Sequence, residues 1–373
     1  MLLTDPIPLN EVRRALVIKL RHHGDVLLTA PVLHALKTRA PHCEIDTLVY
    51  QDTAPMLQGH PAIAQLHSID RNWKKLGPLG QAAAELGLLR RLRARKYDLV
   101  LHLTDHPRGA WIARLTGARW AVGPARPARG RMWRKAFSHL QGEPMNARRH
   151  TVERNLDVLR RIGLYPELHE RVLSIHPGAN AEIRADALLR DGGVEDGRFI
   201  AVHPVSRWMF KSWPAEHVAE LCSRLQAAGW KLVFTCGPDP DEKAFVARIV
   251  DALPEPALNL GGQLNLRELA AVIGRARLFF GVDSAPMHIA AAQQIPTVAL
   301  FGPSGELEWG PWGVPHRVVS SQIHPCRPCG IDGCGGGKIS DCLVRLPVDQ
   351  AWAAVQDLLN DTGGTPVVHL QRV

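Results

Sequence analysis

"ALVIKLRHHGDVLLTAPVLHALK", residues 15–37, decides how the chain is read. Its first six residues are an apolar run that reads as a buried strand, and 27–39 read as a helix. Two histidines, Gly24 and Asp25 lie between them, more than a tight strand-to-helix turn needs. In parallel α/β sheets, ligands sit outside the carboxyl ends of the strands, so such a turn is where chemistry is to be sought. His23 and Gly24 are expected to shape it, the glycine allowing a tight bend or a close ligand. Asp25 is open to two readings. It stands where a helix N-cap would, accepting bonds from free N–H groups, and it is also a carboxylate able to take a proton from a hydroxyl.

The same strand-to-helix alternation runs outward from this stretch. Further strands are expected at 45–50 and 98–103, with helices at 80–96, 108–115 and 151–162. A second series follows, with strands at 199–203, 231–236, 278–282 and 297–301 and helices at 215–228, 241–252, 266–274 and 286–293. Such alternation predicts the α/β class, with parallel sheets covered by helices on both faces. The length of 373 residues suits two domains. We place them at 1–178 and 179–373, joined within 174–196, where Pro177, Gly178, Gly192 and Gly193 look linker-like. A last helix at 348–359 is left free to pack back on either domain, the N-terminal one included.

Charge divides the chain. Residues 1–175 hold 28 Lys and Arg against 15 Asp and Glu, a net +13, while 176–373 hold 17 against 21, a net −4. A basic half points to an anionic partner: nucleic acid, an acidic membrane surface or a phosphorylated substrate. No signal peptide is expected, because Asp5, Pro6, Pro8 and Glu11 interrupt any apolar segment at the start. No apolar run reaches membrane-spanning length, and a cytoplasmic protein is expected. Of seven cysteines, Cys326, Cys329, Cys334 and Cys342 cluster, and four thiolates so spaced can hold a structural zinc or line a metal-free loop.

Three more strand ends carry polar groups. In "HPVSRWMFKSWP", 203–214, Ser206, Arg207 and Lys211 offer a hydroxyl and positive charge at a helix mouth, a setting for a phosphate or diphosphate. After the strand at 231–236, Asp239, Asp241 and Glu242 offer acids suited to ribose hydroxyls or to helix capping. Asp239-Pro240-Asp241 has the D-x-D form of a metal motif, but three residues prove little. In "FFGVDSAPMHIAAAQQIPTVALFGPS", 279–304, Asp283 and Ser284 precede a helix start, and His288 falls within its first turn. The G-x-G-x-x-G fingerprint of dinucleotide oxidoreductases is missing after the first strand.

Taken together, the stretches at 17–37, 203–214 and 279–304 resemble the bacterial lipopolysaccharide heptosyltransferases of glycosyltransferase family 9. The form "KLRHHGDVLLT" and the Cys-rich "PCRPCGIDGCGGGKISDC" are most similar to the heptosyltransferase III group of the inner core. The resemblance implies a GT-B architecture of two facing Rossmann-like, doubly wound domains. The N-terminal one would take the lipid A-core acceptor at the inner membrane surface, the C-terminal one ADP-heptose. It implies an inverting transfer with no catalytic metal and no nucleic acid partner. Asp25 then matches the catalytic base. Ser206, Arg207, Lys211, Glu242, Asp283, Ser284 and His288 match donor-binding positions, although Ala285-Pro286-Met287 departs from the commoner wording of the last motif.

Two basic clusters suit the anionic inner face of the inner membrane, which would make the protein peripheral: Arg126, Arg129, Arg131, Arg134 and Lys135 with Trp133 among them, and Arg90, Arg91, Arg93, Arg95 and Lys96, which equally reads as a solvated helix face. The rival readings are another heptose-adding or nucleotide-sugar step in the same family, and a non-catalytic module binding anionic lipid or nucleic acid.

Overall fold

The computed structural model describes residues 5–142 and 148–362. The chain divides into two compact units, Met1–His176 and Pro177–Val373.

The first unit is built on a six-stranded, wholly parallel sheet. Its strands are β1 (Arg14–Ile18), β2 (Glu44–Tyr50), β3 (Ile63–Ile69), β4 (Leu99–His102), β5 (Trp120–Pro124) and β6 (His139–Gln141), in the order β3-β2-β1-β4-β5-β6. The strands are apolar along most of their length because helices cover both faces. Leu16, Ile18 and Val100 pack against Leu88 and Leu92 of the helix Gly77–Ala94 and Ile112 of the helix Pro107–Thr116.

The second unit holds β7 (Phe199–His203), β8 (Lys231–Phe234), β9 (Leu258–Asn259), β10 (Leu278–Val282), β11 (Thr297–Phe301) and β12 (His316–Ser320). Their order is β12-β11-β10-β7-β8-β9, again all parallel. Counted from its own first strand, this is the same 3-2-1-4-5-6 arrangement as in the first unit. Both units are Rossmann-like, and each has a switch point where the order reverses, β1 beside β4 and β7 beside β10.

Several expectations need revision. The region 174–196 is not an open linker: Ala179–Asp191 is a helix packed on Leu266–Ile273. Ala181, Ala185 and Leu189 recur every four residues and are buried, and Arg275 gathers Glu182 and Asp186 at 2.8 and 2.5 Å. The last helix, Val348–Asp361, left open between the two domains, is part of the second unit's core. Val348, Ala351, Val355 and Leu358 enter the core of the second sheet. The strands β3, β5, β6, β9 and β12 escaped the sequence reading, since they are short, edge-placed or interrupted by polar residues.

Candidate functional site

The opening turn is itself helical. His23–Leu27 forms a short helix with His22 at the N-cap, and a second helix, Ala30–Arg39, follows after Thr29. Thr29 Oγ1 bonds Val26 O at 2.6 Å at the junction. Gly24 and Asp25 therefore lie inside the first turn, which corrects the reading of Asp25 as the cap. His23 Nε2 meets Asp52 O at 3.0 Å and ties the helix to the segment after β2. Asp25 is partly exposed, and among the described residues no hydrogen bond or ion pair engages its carboxylate. Its carboxylate stands at the carboxyl end of β1, in the first turn of the short helix.

Two residues that sequence reading passed over, Lys19 and Asn155, tie the end of β1 to the short helix. Lys19, read only as part of the first strand, is 5% exposed. Its Nζ donates to Asn155 Oδ1 at 2.9 Å and to Leu103 O, just beyond β4, at 3.3 Å. Burial lowers the Lys19 ammonium to about 8, with the charge of Asp25 opposing that fall. The available signal was the lysine itself, since a buried strand end rarely carries one.

In the second unit, the segment after β7 passes through a short 3-10 turn, Met209–Lys211, before the helix Ala215–Ala227, whose N-cap is Pro214. Lys211 Nζ lies 2.6 Å from Asp283 Oδ2, in a pair whose side chains are 16% and 9% exposed. The pair spans the switch point, because Lys211 follows β7 and Asp283 follows β10. The Lys211 ammonium also stands 5.0 Å over the Trp208 ring. Ser206 is buried and accepts from Trp208 N at 3.3 Å, while Arg207 is exposed.

Ser284 is the N-cap of Ala285–Ala292, yet its hydroxyl bonds back to Val282 O at 3.2 Å and not to the helix. The first N–H groups of that eight-residue helix thus have no side-chain cap, as an anion site requires. His288 is buried in the same helix. Glu242 lies in the first turn of Pro240–Asp251 and accepts from Gly237 N at 2.7 Å at the end of β8, while Asp239 caps the helix and Asp241 is exposed. Burial raises the Glu242 carboxyl above its usual range. Ser206, Lys211, Asp283 and Ser284 thus gather around one switch point, and Glu242 stands one strand away, past β8.

The Cys-rich segment leaves Cys326, Cys329 and Cys334 exposed and Cys342 buried. Cys334 Sγ accepts from Asp341 N at 3.4 Å, and burial followed by the charges of Cys334, Cys329 and Cys326 raises the Cys342 thiol. Among the described residues no three His, Cys, Asp or Glu side chains are arranged to hold a metal ion. The segment and the chain just after it are tied to the stretch that follows β7. Buried Ser340 donates to Phe210 O at 2.6 Å, and Trp213 Nε1 donates to Leu346 O at 3.1 Å.

The basic clusters lose two members. Arg95 turns inward to Asp46 and Glu44, both at 2.7 Å, and Trp133 is buried with its Nε1 on Pro124 O. Arg90, Arg91, Arg93, Lys96, Arg131, Arg134 and Lys135 stay exposed.

The chain matches glycosyltransferase family 9 (heptosyltransferase) over residues 86–339. It is 38% identical to lipopolysaccharide heptosyltransferase 3 of Escherichia coli K12 over 297 residues, covering 79% of this chain and 83% of that protein. Among solved structures, a glycosyl transferase family 9 protein of Veillonella parvula superposes with a TM-score of 0.78 at 24% identity, covering 94% of this chain and 97% of that one. The E. coli ADP-heptose lipopolysaccharide heptosyltransferase II superposes at 0.74 with 20% identity, covering 94% and 99%. Both place the fold among two-domain, Rossmann-like glycosyltransferases. The chain therefore belongs to glycosyltransferase family 9, and it is a transferase of the lipopolysaccharide heptosyltransferase kind.

Proposed function

We propose that the enzyme moves heptose from ADP-heptose to a heptose of the lipopolysaccharide inner core, at the heptosyltransferase 3 step, with inversion at the anomeric carbon. The likeness to the E. coli heptosyltransferase 3 carries the choice of step. Asp25 takes the proton of the acceptor hydroxyl as the hydroxyl oxygen bonds to the sugar carbon. The bond from that carbon to the phosphate oxygen breaks, and ADP leaves with the bonding pair. Lys211 and the uncapped N–H groups after Ser284 meet the growing diphosphate charge, and Asp283 orients Lys211. Ser206 and Arg207 lie along the same loop, and Glu242 and His288 are assigned to the nucleoside and sugar ends of the donor. Cationic side chains and backbone dipoles supply this stabilisation from the protein itself, so we propose no metal for the chemical step.

The acceptor is proposed to lie at the inner face of the inner membrane, with the protein bound there peripherally. No helix among the described residues is long and apolar enough to cross a membrane. Exposed Leu79, Leu86, Trp111 and Met132 accompany the exposed arginines on the first unit. Each basic residue near an anionic surface contributes about 1 kcal/mol. The two readings of the four-cysteine loop, structural zinc or a metal-free thiol-lined loop, are separated by elemental analysis before and after chelation.

The deciding experiment offers purified enzyme ADP-heptose and a panel of defined core oligosaccharides, with products read by mass spectrometry. One heptose added only to the acceptor of the third step supports the proposal. Transfer to an earlier-step acceptor alone places the enzyme at another step, and gel-shift of unrelated DNA at physiological salt without turnover supports the binding-module reading. Asp25→Ala is expected to lower turnover ~10²–10⁴-fold with ADP-heptose affinity retained.

A further inference from the structure

Lys19 presents a physical problem. An ammonium at 5% exposure is costly unless paired, yet its two hydrogen-bond partners, Asn155 Oδ1 and Leu103 O, are neutral. Among the described residues no carboxylate stands within ion-pair distance of it. The favourable charges acting on it are those of Asp25, the stronger, and Asp105, while Arg21 and Arg154 oppose them and His102 lies within reach of its field. Asn155 completes the arrangement. It is itself buried, on the helix Thr151–Arg160, and its Nδ2 donates 2.8 Å to Leu28 O, the residue that ends the helix bearing Asp25. One amide thus ties the ammonium at the end of β1 to the C-terminus of the Asp25 helix, with the β4 end as the third anchor.

We infer that Lys19 and Asn155 are the positioning pair of Asp25: the buried ammonium fixes the Asn155 amide, and the amide fixes the short helix that presents the carboxylate. Neither side chain is accessible to a substrate, so both act through Asp25. A five-residue helix has little stability alone, and its Gly24 weakens it further. A fixed floor is needed if the carboxylate is to be held to within a fraction of an ångström of a reacting hydroxyl. The inference rests on the reading of Asp25 as the base.

The test is the split between kcat and donor KM. In Asn155→Ala kcat is expected to fall about tenfold, with the KM for ADP-heptose unchanged, as the donor residues lie in the other unit. In Lys19→Met, which removes the donor to Asn155 Oδ1, kcat is expected to fall by a similar factor, again with donor KM unchanged. Wild-type kcat in a folded Asn155→Ala enzyme overturns the inference, as does a donor KM that rises with the fall in kcat. Should that variant fail to fold, Lys19→Met decides, and wild-type kcat there overturns it. Strong turnover by Asp25→Ala overturns the reading of Asp25 and this inference with it, whereas wild-type kcat in Asn155→Ala leaves that reading standing.

Discussion

Each unit carries a lysine at its switch point, and the two are treated in opposite ways. Lys211 is met by the Asp283 carboxylate at 2.6 Å and keeps part of its side chain in solvent. Lys19 is enclosed on two neutral acceptors, with its compensating charges at longer range. The backbone plan is the same in both, with one strand order and one reversal point. What differs is how charge is handled around it. A directly paired, reachable cation can exchange its carboxylate for a ligand's phosphate, whereas an enclosed cation can only bias a neighbour. The first unit also buries Asp46, His60, His102 and Glu170, while the second buries Asp283, His203 and His288.

The largest expected effect tests this division of labour. Asp25→Asn should cost ~10²–10⁴ in kcat with little change in donor KM. Lys211→Met should cost ~10²–10³ in kcat and also raise donor KM, because under the proposed mechanism it strips a cation from the diphosphate and it leaves Asp283 buried without its partner. Steady-state kinetics with ADP-heptose as the varied substrate separate the two patterns. Equal changes in donor KM for both variants would break the contrast.

Acid should open the units in sequence. Burial lowers His60 to about 4 and His102 to about 3 in the first unit, and His203 to about 3 in the second. Each is neutral when folded and charges more readily when unfolded, so its stabilisation is full above about pH 6.5 and falls by up to ~1.4 kcal/mol per pH unit below that. Asp46 adds to the first unit. Burial alone would raise its carboxyl, but bonds from His67, Arg95 and Tyr97 outweigh that and hold it at about 2, so its contribution is lost as pH falls from about 4 toward 2. Hydrogen exchange at pH 5 should show β1–β6 amides losing protection before β7–β12. Simultaneous loss would show the two cores to be equally acid-sensitive.

Smaller effects are expected from the supports. Ser340→Ala removes the bond to Phe210 O and leaves a buried carbonyl without that donor, at a cost of about 1–2 kcal/mol. If the Cys-rich segment braces the Lys211 loop, donor KM rises about tenfold with kcat nearly kept, and Ser340→Thr restores it. At the surface, charge reversal of Arg90, Arg91 and Arg93 should weaken sedimentation with anionic vesicles and remove its salt dependence. Neutral vesicles and turnover on a soluble core oligosaccharide should be unaffected.

Much of this was legible in the chain itself. Apolar runs followed by helical periods announced two α/β units, and the strand-end rule picked out Asp25, Ser206, Lys211, Glu242 and Asp283 as candidates, each of which lies beyond the end of a strand. The three-residue β6 and the two-residue β9 were not legible, since so few residues carry no period. Nor was the helix Ala179–Asp191, whose flanking glycines looked like a linker until Arg275 supplied partners for its acids.

The sequence by itself determined the class of fold, the polar strand ends and the division of charge, because local patterning and composition are properties of neighbouring residues. Only the tertiary structure decided which charges lie inside. It drew Arg95 and Trp133 off the expected surface, joined Lys211 to Asp283 across 72 residues, and set Asn155 against Lys19 across 136. The physical reason is that the cost of a charge depends on what surrounds it, and those surroundings are assembled from segments far apart along the chain.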